Sequence, residues 1–139
     1  MLNERLKERE ISWQEFEELV REVLESHGFE TMFRVVFRDE EGRSEIDVVA
    51  ERFGIVLAID AKRYARNWYR KSAIKREARK HAERCKRYSR VEGKDVIPVI
   101  VSFVDDEVVE CSGCIIVPLR AINDFLLNIE AYLADFGFL

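Results

Sequence analysis

Asp60 and Lys62 place a carboxylate and an ammonium at the end of an apolar run, Ile55-Val56-Leu57-Ala58-Ile59. That run is short, β-branched and preceded by Gly54, so it reads as a buried strand. Strand side chains alternate, which puts Asp60 and Lys62 on one face and Ala61 on the other. A buried charge is costly unless it is paired or bound to a metal. Alone, D-x-K is either a structural ion pair at a strand end or part of a catalytic centre.

The preceding segment bears on that choice. Residues 44–51 (SEIDVVAE) read as a strand, and Arg52-Phe53-Gly54 is a tight-turn signal. With a two-residue turn at Phe53-Gly54, Arg52 faces Ile55, Asp47 lies opposite Asp60 on the same face, and Glu45 lies opposite Lys62. A four-residue loop with the same centre keeps this register, and a three-residue loop breaks it. Opposed side chains sit roughly 4.5–5.5 Å apart at Cβ, and like charges there destabilise. Two opposed carboxylates on buried strands make physical sense with a divalent cation between them. Oxygen donors of this kind suit Mg²⁺ or Mn²⁺ rather than zinc.

The net charge of −4 conceals a division. Residues 62–90 hold 13 Lys/Arg against Glu77 and Glu83, a net of +11, and the other residues hold 10 Lys/Arg against 25 Asp/Glu, a net of −15. This is one basic segment on an acidic body. The segment is either a solvated face or a surface for nucleic-acid phosphates, and its position directly after the candidate site favours phosphates. The contacting residues would be Arg63, Arg66, Arg70, Lys71, Lys75, Arg76, Arg79 and Lys80. Of these, Arg76, Arg79 and Lys80 form an i, i+3, i+4 cluster, although Arg79 neighbours the apolar stripe and could pack instead. Trp68 and Tyr69 would stack on bases or pack as core or interface.

Three cysteines, an odd number, fit a reducing compartment. The N-terminus is charged and no apolar run reaches membrane-span length, which points to a cytoplasmic protein. A single Gln and four Asn beside abundant charge hint at a thermophile. Cys111-Ser112-Gly113-Cys114 is one CxxC, with only Cys85, His27 and His81 left to complete a zinc site. It reads as a pair of reduced thiols in a strand or turn. No Ser or Cys nucleophile has a histidine partner in view.

The elements that must position these residues follow from pattern. Ser12 with Glu15 forms a capping box for a helix to about residue 27, with a stripe of Trp13, Phe16, Val20, Val23 and Leu24 and with Gly28 at its C-terminal cap. Glu17 lies on the edge of that stripe and Glu18 points away. Strands follow at 30–38, 44–51 and 55–62, with residues 39–42 as the first turn. A basic helix at 66–89 carries the stripe Ile74, Ala78, Ala82, Cys85, Tyr88. Strands at 96–104 and 114–119 and an amphipathic helix at 120–136 complete the chain. Pro98 marks an edge strand or a strand start. The order αβββαββα describes one domain over 1–139, an α/β sandwich of three layers with a mixed central sheet.

Helix-with-Glu, strand-Asp, strand-Asp-x-Lys, helix, strand resembles the PD-(D/E)xK nuclease superfamily, the restriction-endonuclease-like fold. The local wording is closest to archaeal Mrr-like and Holliday-junction-resolvase-like members. The matching pieces are Glu15-Phe16-Glu17, Glu45-Ile46-Asp47, Asp60-Ala61-Lys62, and Ile116-Val117-Pro118-Leu119 ahead of Asn123-Asp124-Phe125-Leu126. Ile46 departs from the Pro of the superfamily's name, and the length leaves no room for a separate DNA-reading domain. The resemblance implies an endonuclease that hydrolyses DNA phosphodiester bonds with Mg²⁺ or Mn²⁺, either structure-selective or restriction-like. It implies that Asp47 and Asp60 ligate the metal with the Ala61 carbonyl. Lys62 would activate water and offset transition-state charge, and Glu17 would reach the metal directly or through water. It also implies a homodimer, since single-domain nucleases of this type usually cut two strands as dimers. The alternative is a nucleic-acid-binding or assembly subunit that keeps the fold without cleavage.

Overall fold

A tight hairpin sets the geometry of the whole sheet. In the computed structural model, which describes residues 12–62, 70–102 and 107–139 (side chains of 70–72 excepted), strands β2 (Gly42–Arg52) and β3 (Ile55–Lys62) pair antiparallel. Arg52 faces Ile55 and Val48 faces Ile59, the expected register. Phe53 and Gly54 both take positive φ, at 48° and 82°. This is the mirror-image turn whose twist matches that of paired strands.

Strand β1 (Glu30–Asp39) pairs with β2 on the other side, turning at Glu40-Glu41 so that Asp39 faces Gly42. The turn is two residues shorter than the expected 39–42. β3 continues through helix α2 (Arg70–Glu92) into β4 (Ile97–Ser102), which is parallel to it, and β6 (Cys114–Pro118) is parallel to β4. A three-residue strand, β5 (Val109–Cys111), folds back on β6 and gives the order β1-β2-β3-β4-β6-β5. β5 was not anticipated. Pro98 is the second residue of β4, a central strand, so its missing N–H marks a strand start rather than an edge.

One face of the sheet is covered by α1 (Trp13–Ser26) and the C-terminal helices. Ser12 caps α1 in the expected box: its Oγ accepts the Glu15 N–H at 3.1 Å, and Glu15 Oε1 accepts the Ser12 N–H at 3.0 Å. Phe16, Val20 and Leu24 are fully buried against Val48, Ala50, Leu57, Ile59, Val99 and Val101. The last helix is not continuous. A 3₁₀ turn (Leu119–Ala121) leads into α3 (Ile122–Leu127) and α4 (Ile129–Asp135). They break at Asn128, whose side-chain amide donates to the carbonyl and carboxylate of Asp124, both at 3.1 Å, a local bond that competes with helix continuation.

The other face is covered by α2 through Ile74, Ala78, His81, Cys85 and Tyr88. Their spacing of four, three, four and three is a helical seam. His81 stands where the apolar pattern suggested Ala82, which is only partly buried. Arg87 fixes α2 to the β1–β2 turn. Its guanidinium donates to both Asp39 oxygens, at 2.8 and 2.7 Å, and to the Gly42 carbonyl at 2.9 Å. Three layers around a mixed sheet result, the expected α/β sandwich.

Candidate active site

The β2–β3 ladder stops at Val48 and Ile59, one pair short of the two aspartates. There Asp47 changes role. Its Oδ2 accepts the Ala61 N–H at 3.0 Å, a side chain doing what a ladder carbonyl would otherwise do. Arg34, near this point on β1, has φ 54°, and the β1–β2 pairing also skips Arg34 and Asp47. β1 skips one pair here and resumes at Val35 and Ile46, whereas β3 does not resume. Glu45 stays with β1 opposite Val36 and pairs with Arg43 at 3.6 Å, so it does not face Lys62 as the extended register required.

Asp60 is buried, 6% exposed. Asp60 and Lys62 share the α2 face, and Ala61 packs with the opposite core, as alternation requires. Lys62 Nζ stands 2.8 Å from Asp60 Oδ2 and 3.2 Å from Glu77 Oε1 on α2. Arg84 Nη1, also on α2, lies 3.5 Å from Asp60 Oδ2 and 3.1 Å from His81 Nδ1. His81 Nε2 reaches the Ala58 carbonyl at 2.8 Å. A carbonyl only accepts and a guanidinium only donates, so Nε2 carries the proton and Nδ1 does not. Burial, ahead of the Arg84 and Lys62 charges, pulls the His81 pKa down and keeps the ring neutral.

The two aspartates split in opposite directions. Burial first, then the hydrogen bond and charge of Asp60, push Asp47 up to about 7. Burial also works against the charge on Asp60, but the bond from Asp47 and the Lys62 ammonium hold it low and ionised. Each carboxylate thus biases the protonation of the other. Asp60 Oδ2 is buried, with the Lys62 ammonium 2.8 Å away as its ion-pair partner. Two facing carboxylates, one of them held by an ammonium, present the oxygen donors that suit a hard divalent cation, which would displace Lys62 from Asp60.

Sequence reasoning placed Asp47, Asp60 and Lys62 together, and they meet. Glu17 lies at the edge of the α1 stripe as expected, but it is engaged by Arg34 in an ion pair and does not join the aspartates. Among the described residues no three His, Cys, Asp or Glu side chains are arranged to hold a metal ion. Glu77, His81 and Arg84 were missed as site residues. Their i, i+4, i+7 spacing beside the Ile74/Ala78 stripe was the available signal.

The basic segment runs along α2. Lys75, Arg76, Arg79 and Lys80 are exposed, so Arg79 does not pack in the core. Arg76, Arg79, Lys80, Arg84 and Arg87 line a cleft of about 520 Å³ against Glu41 and Ser44 of the β1–β2 hairpin. Arg84 belongs both to this cleft and to the Asp60 cluster. Arg63, Arg66, Trp68 and Tyr69 lie outside the described residues, as do the side chains of Arg70 and Lys71. Cys111 and Cys114 face each other across the Ser112-Gly113 turn with no disulfide between them. Among the described residues no helix is long and apolar enough to cross a membrane.

Residues 8–86 match the model of a restriction endonuclease family, the Mrr catalytic domain. An uncharacterized protein of Archaeoglobus fulgidus is 59% identical over 127 residues, 91% of this chain and 98% of its own. A crystal structure of a protein of unknown function, AF1548, is 29% identical with TM-score 0.45, covering 63% of this chain; the match spans only 45% of that longer chain. The small subunit of the heterodimeric restriction endonuclease R.BspD6I is 9% identical with TM-score 0.48, covering 86% of this chain and 77% of its own. With the Asp47, Asp60-x-Lys62 constellation on the second and third strands, the chain belongs to the Mrr catalytic-domain family of restriction endonucleases and has the PD-(D/E)xK fold.

Proposed function

We propose that this protein is a metal-dependent endonuclease that hydrolyses DNA phosphodiester bonds. One observation carries the reading. Asp47 and Asp60 face each other where two strands part, with Lys62 Nζ 2.8 Å from Asp60. Asp47 and Asp60 would hold the cation, with the Ala61 carbonyl beside them; Mg²⁺ is the expected ion, and Mn²⁺ would substitute. A bound cation would lower the pKa of water and polarise the phosphodiester. Lys62 keeps an ammonium beside the attacked phosphate, where it orients water and offsets developing negative charge. Ala61 N–H fixes one Asp47 oxygen, which leaves the other toward Asp60. Glu17 would complete the site after leaving Arg34.

The cationic face of α2 would hold the DNA backbone through phosphates, which confers affinity without base sequence. Structure selection, as on branched DNA, fits such a surface. We take residues 1–139 as one nuclease domain acting as a cytoplasmic homodimer. The second reading, a silent DNA-binding or assembly subunit, is favoured by the Glu17–Arg34 pair, which holds Glu17 away from the two aspartates. Titration of Mg²⁺ and of Mn²⁺ against supercoiled plasmid and four-way-junction DNA separates the two. Metal-dependent nicking that EDTA abolishes supports the enzyme; tight binding with no cut at any metal concentration supports the silent subunit.

A further inference from the structure

Glu77 is one of only two acids in the basic segment, and the fold sets it against the site. Lys62 Nζ spans Asp60 Oδ2 at 2.8 Å and Glu77 Oε1 at 3.2 Å, so one ammonium joins carboxylates on a strand and a helix. The other Glu77 oxygen meets Lys80 at 3.7 Å. Glu77 and Lys62 are each 22% exposed at the side chain and Lys80 is 62% exposed. The Lys62 contact is therefore the closer and better shielded of the two. Arg84 lies 3.5 Å from the same Asp60 oxygen, so Asp60 keeps a cationic neighbour if Lys62 moves off it.

An ammonium resting on Asp60 Oδ2 competes with a metal ion for that oxygen. A carboxylate beyond the ammonium relieves the competition, because it offers a second seat that still keeps the charge at the site. We propose that Glu77 is a positioning residue for Lys62, the seat to which the ammonium withdraws when a divalent cation takes Asp60. The proposal rests on the metal-dependent nuclease reading. On this account Glu77 touches neither cation nor DNA and acts through Lys62 alone.

That restriction makes a double-mutant cycle decisive. Wild type, Glu77→Gln, Lys62→Ala and the double variant are titrated with Mn²⁺ by calorimetry and assayed for single-turnover plasmid cleavage with Mg²⁺. Denaturant melts confirm that each is folded. Glu77→Gln should weaken Mn²⁺ binding about threefold to tenfold and slow cleavage about tenfold, with Glu77→Asp restoring part of both. Glu18→Gln, exposed on α1, should change neither. In the Lys62→Ala background Glu77→Gln should lose most of its effect. An equal loss of Mn²⁺ affinity in both backgrounds would make Glu77 a ligand in its own right and overturn the proposal. Wild-type affinity and rate in Glu77→Gln would reduce it to a surface partner of Lys80 and overturn it as well. Should wild type take up no Mn²⁺ and cut nothing, the nuclease reading and the withdrawal of Lys62 fall together. If instead wild type binds Mn²⁺ and cuts while the cycle shows no coupling, only the Glu77 assignment falls.

Discussion

Two aspartates eight residues apart meet opposite surroundings. Asp39, at the β1–β2 turn, is answered entirely by donors, the Arg87 guanidinium and the Glu41 N–H. The Arg87 hydrogen bonds hold its carboxyl down to about 2. Asp47, further along the same hairpin, is answered by one N–H and by a second acid, and it rises to about 7. An acid met by fixed donors is a fastener. An acid met by another acid costs stability until something positive arrives, and such an arrangement persists where function needs it.

The sharpest break of this comparison swaps charge for amide at each end. Asp60→Asn should abolish Mg²⁺-dependent cleavage, by about a thousandfold or more, while DNA binding is kept or tightened because negative charge near phosphates is gone. Asp39→Asn should do the reverse, lowering the melting temperature by a few degrees with kcat unchanged. Plasmid cleavage and thermal melts on both variants measure the crossover; a cleaving Asp60→Asn would remove the metal assignment. Next in size, Lys62→Ala should cut the single-turnover rate by about a hundredfold with far less change in metal affinity, because an ammonium acts on the transition state and not as a ligand. Calorimetry that showed metal binding lost at an unchanged rate would reverse that role.

A smaller effect is expected away from both aspartates. Replacing Arg76, Arg79 and Lys80 together with Gln should weaken duplex binding and flatten the slope of log K against log salt by about 0.9 per phosphate contact removed. Fluorescence anisotropy across a salt series reads this, and an unchanged slope would mean that the helix faces away from DNA. The smallest is the pH response of the metal-free protein. Asp47 in the folded state lies above its ordinary 3.8, so its contribution to stability is present below about 4 and is lost as pH rises through about 7. Asp39 runs the other way, contributing above 3.8 and losing it as pH falls toward 2. Denaturant midpoints in EDTA from pH 3 to 8 should show the upper decline vanish in Asp47→Asn and persist in Asp39→Asn.

Much of this site was legible because a two-residue turn leaves the β2–β3 register no freedom. Once Phe53-Gly54 is the turn, Asp47 and Asp60 must approach each other, and alternation sends Lys62 to the same side. What local pattern could not supply was the end of the ladder. Asp47 leaves it to bind the Ala61 N–H at the position where β1, with Arg34 at positive φ, also skips a pair. Glu45 and Lys62 lie beyond the end of that ladder. Glu17 was correctly placed on its helix, but its partner on β1 is a matter of how α1 sits on the sheet. His81 interrupts the apolar stripe of its helix; it is buried because a carbonyl of the adjacent strand and a guanidinium one turn along the same helix meet both ring nitrogens. The break at Asn128 and the three-residue β5 were hidden by size, since neither disturbs periodicity over a window long enough to notice.

The fixed ring of His81 has one more consequence. With its proton on Nε2 directed at Ala58 and its other nitrogen covered by Arg84, this imidazole is sealed from solvent between α2 and the sheet. In a nitrogen-15 correlation spectrum it should show a single neutral tautomer across the pH range in which exposed histidines titrate, with a ring proton that exchanges slowly with water. That signal is an internal clock for the layer. It would be lost when α2 lifts from β3, so its exchange rate would report how often the floor beneath Asp60 opens.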